Sequence, residues 1–177
     1  VSPPDYFSRL TYVFLTAEDR LHASYQPVPL YFNNIQEAPF LSKIAAFSTT
    51  FWSLINQERP KRLKTFSSHS MPFKALVDVD FWMTDIVTED NIIFFQCFLR
   101  YDGDYDVVPL YYPVSMDANV APTFWQTTKN VYKQQRRWGY GVENVPYFLF
   151  GFSKNKKISL RKKLYRGFTA IEGFHSW

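Results

Sequence analysis

The stretch Thr88-Glu89-Asp90-Asn91-Ile92-Ile93-Phe94-Phe95-Gln96-Cys97-Phe98-Leu99-Arg100-Tyr101-Asp102-Gly103-Asp104, running on into Tyr105 to Tyr112, decides the fold class. A residue suited to capping, two acids and then an apolar run predict a helix that opens near Thr88. Asp102-Gly103-Asp104 favours a turn, so the helix should end before it and Tyr105 to Tyr112 should follow as a strand. Pro109 weakens that strand, because proline donates nothing to a ladder.

The same punctuation extends outward. Upstream, Ser2 is placed to cap a helix opening with Pro3, and Tyr6, Phe7, Leu10, Val13, Phe14 and Ala17 recur at helical spacing. Gln26 to Phe32 reads as extended, confined to an edge by Pro27 and Pro29. A long helix is expected from about Pro39 to Asn56, burying Phe40, Ile44, Phe47, Phe51 and Leu54 or Ile55. Pro60 to Ser70 reads as a loop, and Met71 to Trp82 mixes a short strand with a helical turn. Downstream, Phe124 to Trp138 should be a helix ended by Gly139 and Gly141. Helices and strands alternate, which predicts an α/β fold with long helices and few strands.

The chain has 177 residues, enough for one core, and is unusually aromatic, with 18 Phe, 12 Tyr and 5 Trp. Aromatic excess suits surfaces that are apolar on one side and polar on the other, as sugar platforms and membrane interfaces are. Its positive charge is local. Residues 151–177 hold seven basic residues against Glu172 alone, whereas residues 1–150 hold 13 basic and 15 acidic ones. This divides the chain into a main unit, 1–150, and a basic segment, 151–177. In the latter, Ile158, Leu160, Leu164, Tyr165, Phe168 and Ile171 recur near helical spacing, with Arg161, Lys162 and Arg166 away from them. The segment from Ile158 is expected to form an amphipathic helix, and an anionic membrane surface near residues 145–171 is the expected partner of this end.

The single cysteine, Cys97, excludes an internal disulfide and favours a reducing compartment. His22, His69 and His175 are too scattered for a zinc site. No run approaches the ~20 apolar residues of a spanning helix. The start Val1-Ser2-Pro3-Pro4 lacks Met and has no signal-peptide order, so the chain is expected to be a piece of a longer protein.

Two motifs carry chemistry. Thr88-Glu89-Asp90 alone reads as a cap with acids complementing a helix dipole. Held beside a cleft, Asp90 would instead be a general base for a sugar hydroxyl. In Gln134-Gln135-Arg136-Arg137-Trp138, the residues Gln134, Arg137 and Trp138 share one helix face. Arg137 suits a diphosphate through its planar fork, and the Trp138 indole is a flat plate for a pyranose.

Together these motifs, in this order and spacing, resemble the Thr-Glu-Asp and Gln-x-x-Arg-Trp signatures of processive family 2 glycosyltransferases, the group of cellulose, chitin and hyaluronan synthases. Phe73-Lys74-Ala75-Leu76 sits where that family has an aromatic and basic segment before the base. The resemblance implies the acceptor-side half of an incomplete GT-A-like nucleotide-diphospho-sugar transferase domain. It implies Asp90 as base, flanked by Thr88 and Glu89, with Gln134 and Arg137 facing the donor diphosphate. Trp138 would lie under the acceptor sugar. Ser67-Ser68-His69-Ser70 falls where the family lines the acceptor entrance, so His69 and Ser70 join the acceptor side, although the family's small Gly-containing pattern is missing there.

The family's Asp-x-Asp metal motif and nucleotide-binding half are not in this sequence. Magnesium or manganese is therefore expected from a motif outside the chain, and Asp102-Gly103-Asp104 reads as a turn. The expected activity is inverting transfer of a hexose from a nucleotide-sugar to a glycan, in a protein of the inner or plasma membrane with its catalytic part on the cytoplasmic side. No nucleic acid partner is expected. The alternatives are a non-catalytic module on a membrane surface and a single-stranded RNA binder, which would show a steep salt dependence.

Overall fold

The computed structural model describes residues 2–175, and within them strands and helices alternate as an α/β arrangement. The order is α1 (Tyr6–Thr16), β1 (Ala23–Leu30), α2 (Phe40–Gln57), α3 (Phe73–Asp78), α4 (Glu89–Arg100), β2 (Asp106–Ser115), α5 (Phe124–Gly139), α6 (Asn144–Lys154) and α7 (Leu160–His175). A 3-10 turn, Tyr140–Glu143, joins α5 to α6. The strands pair in parallel, which requires a long crossover, here through α2, α3 and α4.

Pro27 shapes this sheet. Ala23 to Gln26 pair with Asp106 to Pro109, and pairing resumes only at Val28 opposite Pro113. Pro27 therefore faces Leu110, Tyr111 and Tyr112, and Tyr111 turns into the left-handed region at φ 50. Gln57, at the end of α2, fills the break: its Nε2 donates to Gln26 O at 3.1 Å and its Oε1 accepts from Tyr111 N at 3.1 Å. Thr50 Oγ1 donates to Pro29 O at 3.2 Å. On the open edge, Tyr25 and Ser70 exchange backbone hydrogen bonds of 2.7 and 2.9 Å. The prolines thus lie at an edge as expected, yet β1 is buried as far as Pro29 because α2 and the segment before α3 cover it.

That cover reverses the expected orientation of α2. Its buried residues are Ser42, Ala46, Thr50, Ser53 and Gln57, while Phe40 is 70% and Phe51 66% exposed, with Ile44, Phe47, Leu54 and Ile55 also in solvent. The small and polar face is the one that can approach a strand and supply the hydrogen bonds it lacks.

The main core gathers on α4, where Ile93, Phe94, Phe95, Cys97 and Phe98 meet Tyr105 and Val107 of the β2 side, Phe148 and Phe152 of α6, and Ile158 and Ala170 around α7. Gly151 permits the α4–α6 contact, since a Cβ there would stand 2.3 Å from Leu99 Cδ1. Cys97 is fully buried, and burial pushes its thiol up to about 12. A second cluster packs Tyr6 of α1 on Tyr25 and Leu110.

Three local expectations need correction. Ser2 does not cap α1, which starts at Tyr6 after Asp5. Thr88 stands at the N-cap of α4 but makes no capping hydrogen bond with its side chain. Gly139 is α-helical, φ −59, so the chain continues through the 3-10 turn into α6 instead of stopping. The change in composition at Gly151 accordingly falls inside α6.

Arg166 is a further correction, because it is buried and not on a basic face. It pairs with Asp106, donates to Lys61 O, and lies 5.1 Å over the Phe94 ring. The side of α7 that packs inward carries Arg166, Gly167, Thr169 and Ala170, leaving Leu160, Leu164, Tyr165, Phe168 and Ile171 exposed. No helix among the described residues is long and apolar enough to cross a membrane.

Candidate active site

Thr88 cannot cap α4 because its hydroxyl is engaged elsewhere. Asn144, with 0% exposure at the start of α6, donates from Nδ2 to Thr88 Oγ1 at 3.2 Å and to Asn91 Oδ1 at 3.1 Å. Asn91 Nδ2 in turn reaches Thr65 O at 3.3 Å. The residues either side of Glu89 and Asp90 are thus tied to the element that follows Gln134–Trp138. A satisfied buried polar network of this kind makes the geometry rigid.

Asp90 is half-buried and Glu89 exposed. Burial raises the Asp90 carboxyl above its ordinary value, and the charge of Glu89 adds to this. His69 and the backbone N–H groups of Asn91 and Ser67 pull the other way.

His69 belongs to a loop stitched to the sheet. Phe66 N donates to Gln26 Oε1 at 2.8 Å, Gln26 Nε2 reaches Ser67 O at 3.4 Å, Tyr6 OH reaches Ser68 O at 3.4 Å, and Ser70 pairs with Tyr25. Ser68 takes a left-handed φ of 71. The turn lets His69 Nδ1 donate to Phe66 O at 2.9 Å, which leaves Nε2 as the acceptor of the neutral ring. That atom is buried and has no partner in the structure. Burial also holds the His69 imidazole below its usual pKa, despite the opposing charge of Asp90.

Tyr31, just after β1, connects the motifs. Burial and the charge of Asp90 raise its phenol, and the charge of Arg137 lowers it, so both groups act on one side chain. Tyr31 shares a cleft with Ser42, Asp117, Asn119, Gln134 and Trp138. The cleft is shallow and partly open to solvent.

Gln134 and Trp138 line the cleft with Tyr31, exposed Arg137 and half-buried Asp90 stand within electrostatic reach of the Tyr31 phenol, and Asp90 stands within electrostatic reach of His69. Ser70 instead has its backbone committed to Tyr25. Spacing could not reveal Tyr31, Asn119 or Asn144, because single polar residues have no period.

A divalent metal finds no donor set in the described residues, where no three His, Cys, Asp or Glu side chains converge. In the Asp102-Gly103-Asp104 turn, Asp102 bonds Asn155 at 2.8 Å and Lys157 at 2.9 Å, and Asp104 pairs with His22 at 3.2 Å.

No curated protein and no solved structure matches this chain. A family model does, the one described as glycosyl transferase family group 2, over residues 1–176. With this match over nearly its whole length, the chain belongs to glycosyl transferase family group 2.

Proposed function

We propose that this chain forms the acceptor side of an inverting hexosyltransferase of the polysaccharide-synthase kind. The observation that carries the reading is that the charges of Asp90 and Arg137 both act on the phenol of Tyr31, which shares a cleft with Gln134 and Trp138, while Asp90 also acts on His69. Asp90 takes the proton of an acceptor hydroxyl, whose oxygen attacks the anomeric carbon as the bond to the donor diphosphate breaks. The glycoside forms with inverted configuration, the nucleoside diphosphate leaves, and the proton on Asp90 passes to water. The raised carboxyl suits a group that must accept a proton.

Arg137 and the Gln134 amide hold the departing diphosphate as its charge grows. Trp138 supports the acceptor ring, and the open Nε2 of His69 accepts a hydrogen bond from an acceptor hydroxyl. Magnesium or manganese would supply further charge stabilisation from residues outside this chain.

The membrane surface remains part of this proposal, with a changed basis. Lys157, Lys162, Lys163 and Arg166 are engaged with Asp102, Gly103, Asn155 and Asp106, so fewer cations face outward than the sequence suggests. The exposed apolar row on α7, beginning at Leu160, supports contact with lipid, which this reading assigns to the cytoplasmic side.

The test is transfer by the full-length protein in membranes from radiolabelled UDP-glucose, UDP-N-acetylglucosamine and GDP-mannose. The anomeric configuration of the product is read by NMR. Retention of configuration from a transferred donor would overturn the base assignment. Absence of transfer from all three would overturn the hexosyl reading.

A further inference from the structure

Gln134 Oε1 is already occupied. It accepts from Asn119 Nδ2 at 2.8 Å, and the backbone of Asn119 is itself held, with its carbonyl taking Ser42 Oγ at 2.6 Å. The loop around it is clamped at further points: Ala118 N donates to Asn34 Oδ1 at 2.8 Å, Asn34 Nδ2 donates to Ala118 O at 3.0 Å, and Ala121 N donates to Thr127 Oγ1 at 3.0 Å. An amide can turn by half a rotation at small cost, which exchanges a donor for an acceptor. Here the NH2 group of Asn119 takes the acceptor end of Gln134.

We propose that Asn119 is a positioning residue that fixes the Gln134 carboxamide with its carbonyl towards the loop and its NH2 group towards the ligand in the cleft. Gln134 then offers only donors to the cleft, which Asp117 also lines. Donors so placed take an oxygen acceptor of the ligand and refuse a ligand group that offers only N–H or O–H donors. This rests on the reading of Gln134 as a group facing the donor diphosphate.

The test compares Asn119→Asp and Asn119→Leu with the wild type by two readouts. In Asn119→Asp the carboxylate can only accept, so it draws the Gln134 NH2 group to itself and turns Oε1 towards the diphosphate. Asn119→Leu leaves the amide free to adopt either orientation without adding charge. In the 15N-labelled chain, the Gln134 NH2 protons should exchange readily with water in the wild type and be slowed in Asn119→Asp. In the full-length enzyme, Asn119→Asp should raise the donor KM by about tenfold or more with kcat little changed, and Asn119→Leu by a smaller factor of about two to five. Slow exchange of the Gln134 NH2 protons in the wild type would overturn the proposal, as would an exchange rate left unchanged by Asn119→Asp. If Asn119→Asp slows the exchange and leaves KM alone, Asn119 orients Gln134 but Gln134 does not face the donor, and it is the reading of Gln134 that fails.

Discussion

Helices α2 and α4 carry similar densities of aromatic and aliphatic residues, yet they are packed in opposite senses. Helix α4 buries Ile92, Ile93, Phe94, Phe95, Cys97 and Phe98 and serves as the axis of the core. Helix α2 turns its apolar side outward and buries Ser42, Thr50, Ser53 and Gln57. Periodicity fixes which residues share a face, but not which face goes in. That choice was made by β1, whose prolines leave backbone groups that a side chain must satisfy.

The comparison can be broken most severely at the centre of α4. Phe94→Ala should cost about 3–5 kcal/mol, because it opens a cavity in a fully packed cluster and removes the ring beneath Arg166. Urea denaturation checks this, and a loss below about 1 kcal/mol would mean that α4 is not the core axis. At the start of the same helix, Asp90→Asn should leave the fold and donor affinity intact while lowering turnover of the full-length enzyme at least about a hundredfold. In the wild type, turnover should fall as pH drops and Asp90 takes up its proton. Burial has raised that carboxyl, so the acid limb should lie above the range of an ordinary aspartate.

On α2, the polar residue matters most. Gln57→Ala should destabilise by about 1–3 kcal/mol, since Gln26 O would be left buried, and Tyr111 N part-buried, without this partner. Phe51→Ser, which removes a large apolar group from the same helix, should stay within about 0.5 kcal/mol. A larger effect from Phe51 than from Gln57 would restore the ordinary orientation. The outward faces admit one more measurement. Leu164→Ser with Phe168→Ser on α7 should reduce co-sedimentation with anionic vesicles and leave thermal stability unchanged, as both residues are exposed.

Much of the fold is legible in the sequence. The helix–turn–strand run from Glu89 to Ser115 follows from apolar periodicity and the Asp102-Gly103-Asp104 turn. The resemblance carried by Thr88-Glu89-Asp90 and Gln134–Trp138 points to the family, and one residue of each motif, Asp90 and Arg137, acts on the Tyr31 phenol. What stays hidden is decided by partners distant in sequence. Thr88 looks like a cap because nothing local reveals Asn144, 56 residues away. Arg166 looks like a surface cation, although the neighbouring Gly167 and Ala170 are the small residues of a closely packed face. Pro27 marks an edge, but its larger effect is to recruit Gln57 and turn α2 over.

The solitary Cys97 offers a clock for the interior. Only the thiolate reacts with an alkylating reagent, and a thiol pushed up to about 12 in a sealed site is almost wholly protonated at neutral pH. Modification must therefore wait until α4 parts from its neighbours. The rate at which iodoacetamide adds one carbamidomethyl mass to the native protein then measures how often the core opens, with no probe introduced and no competing cysteine in the sequence.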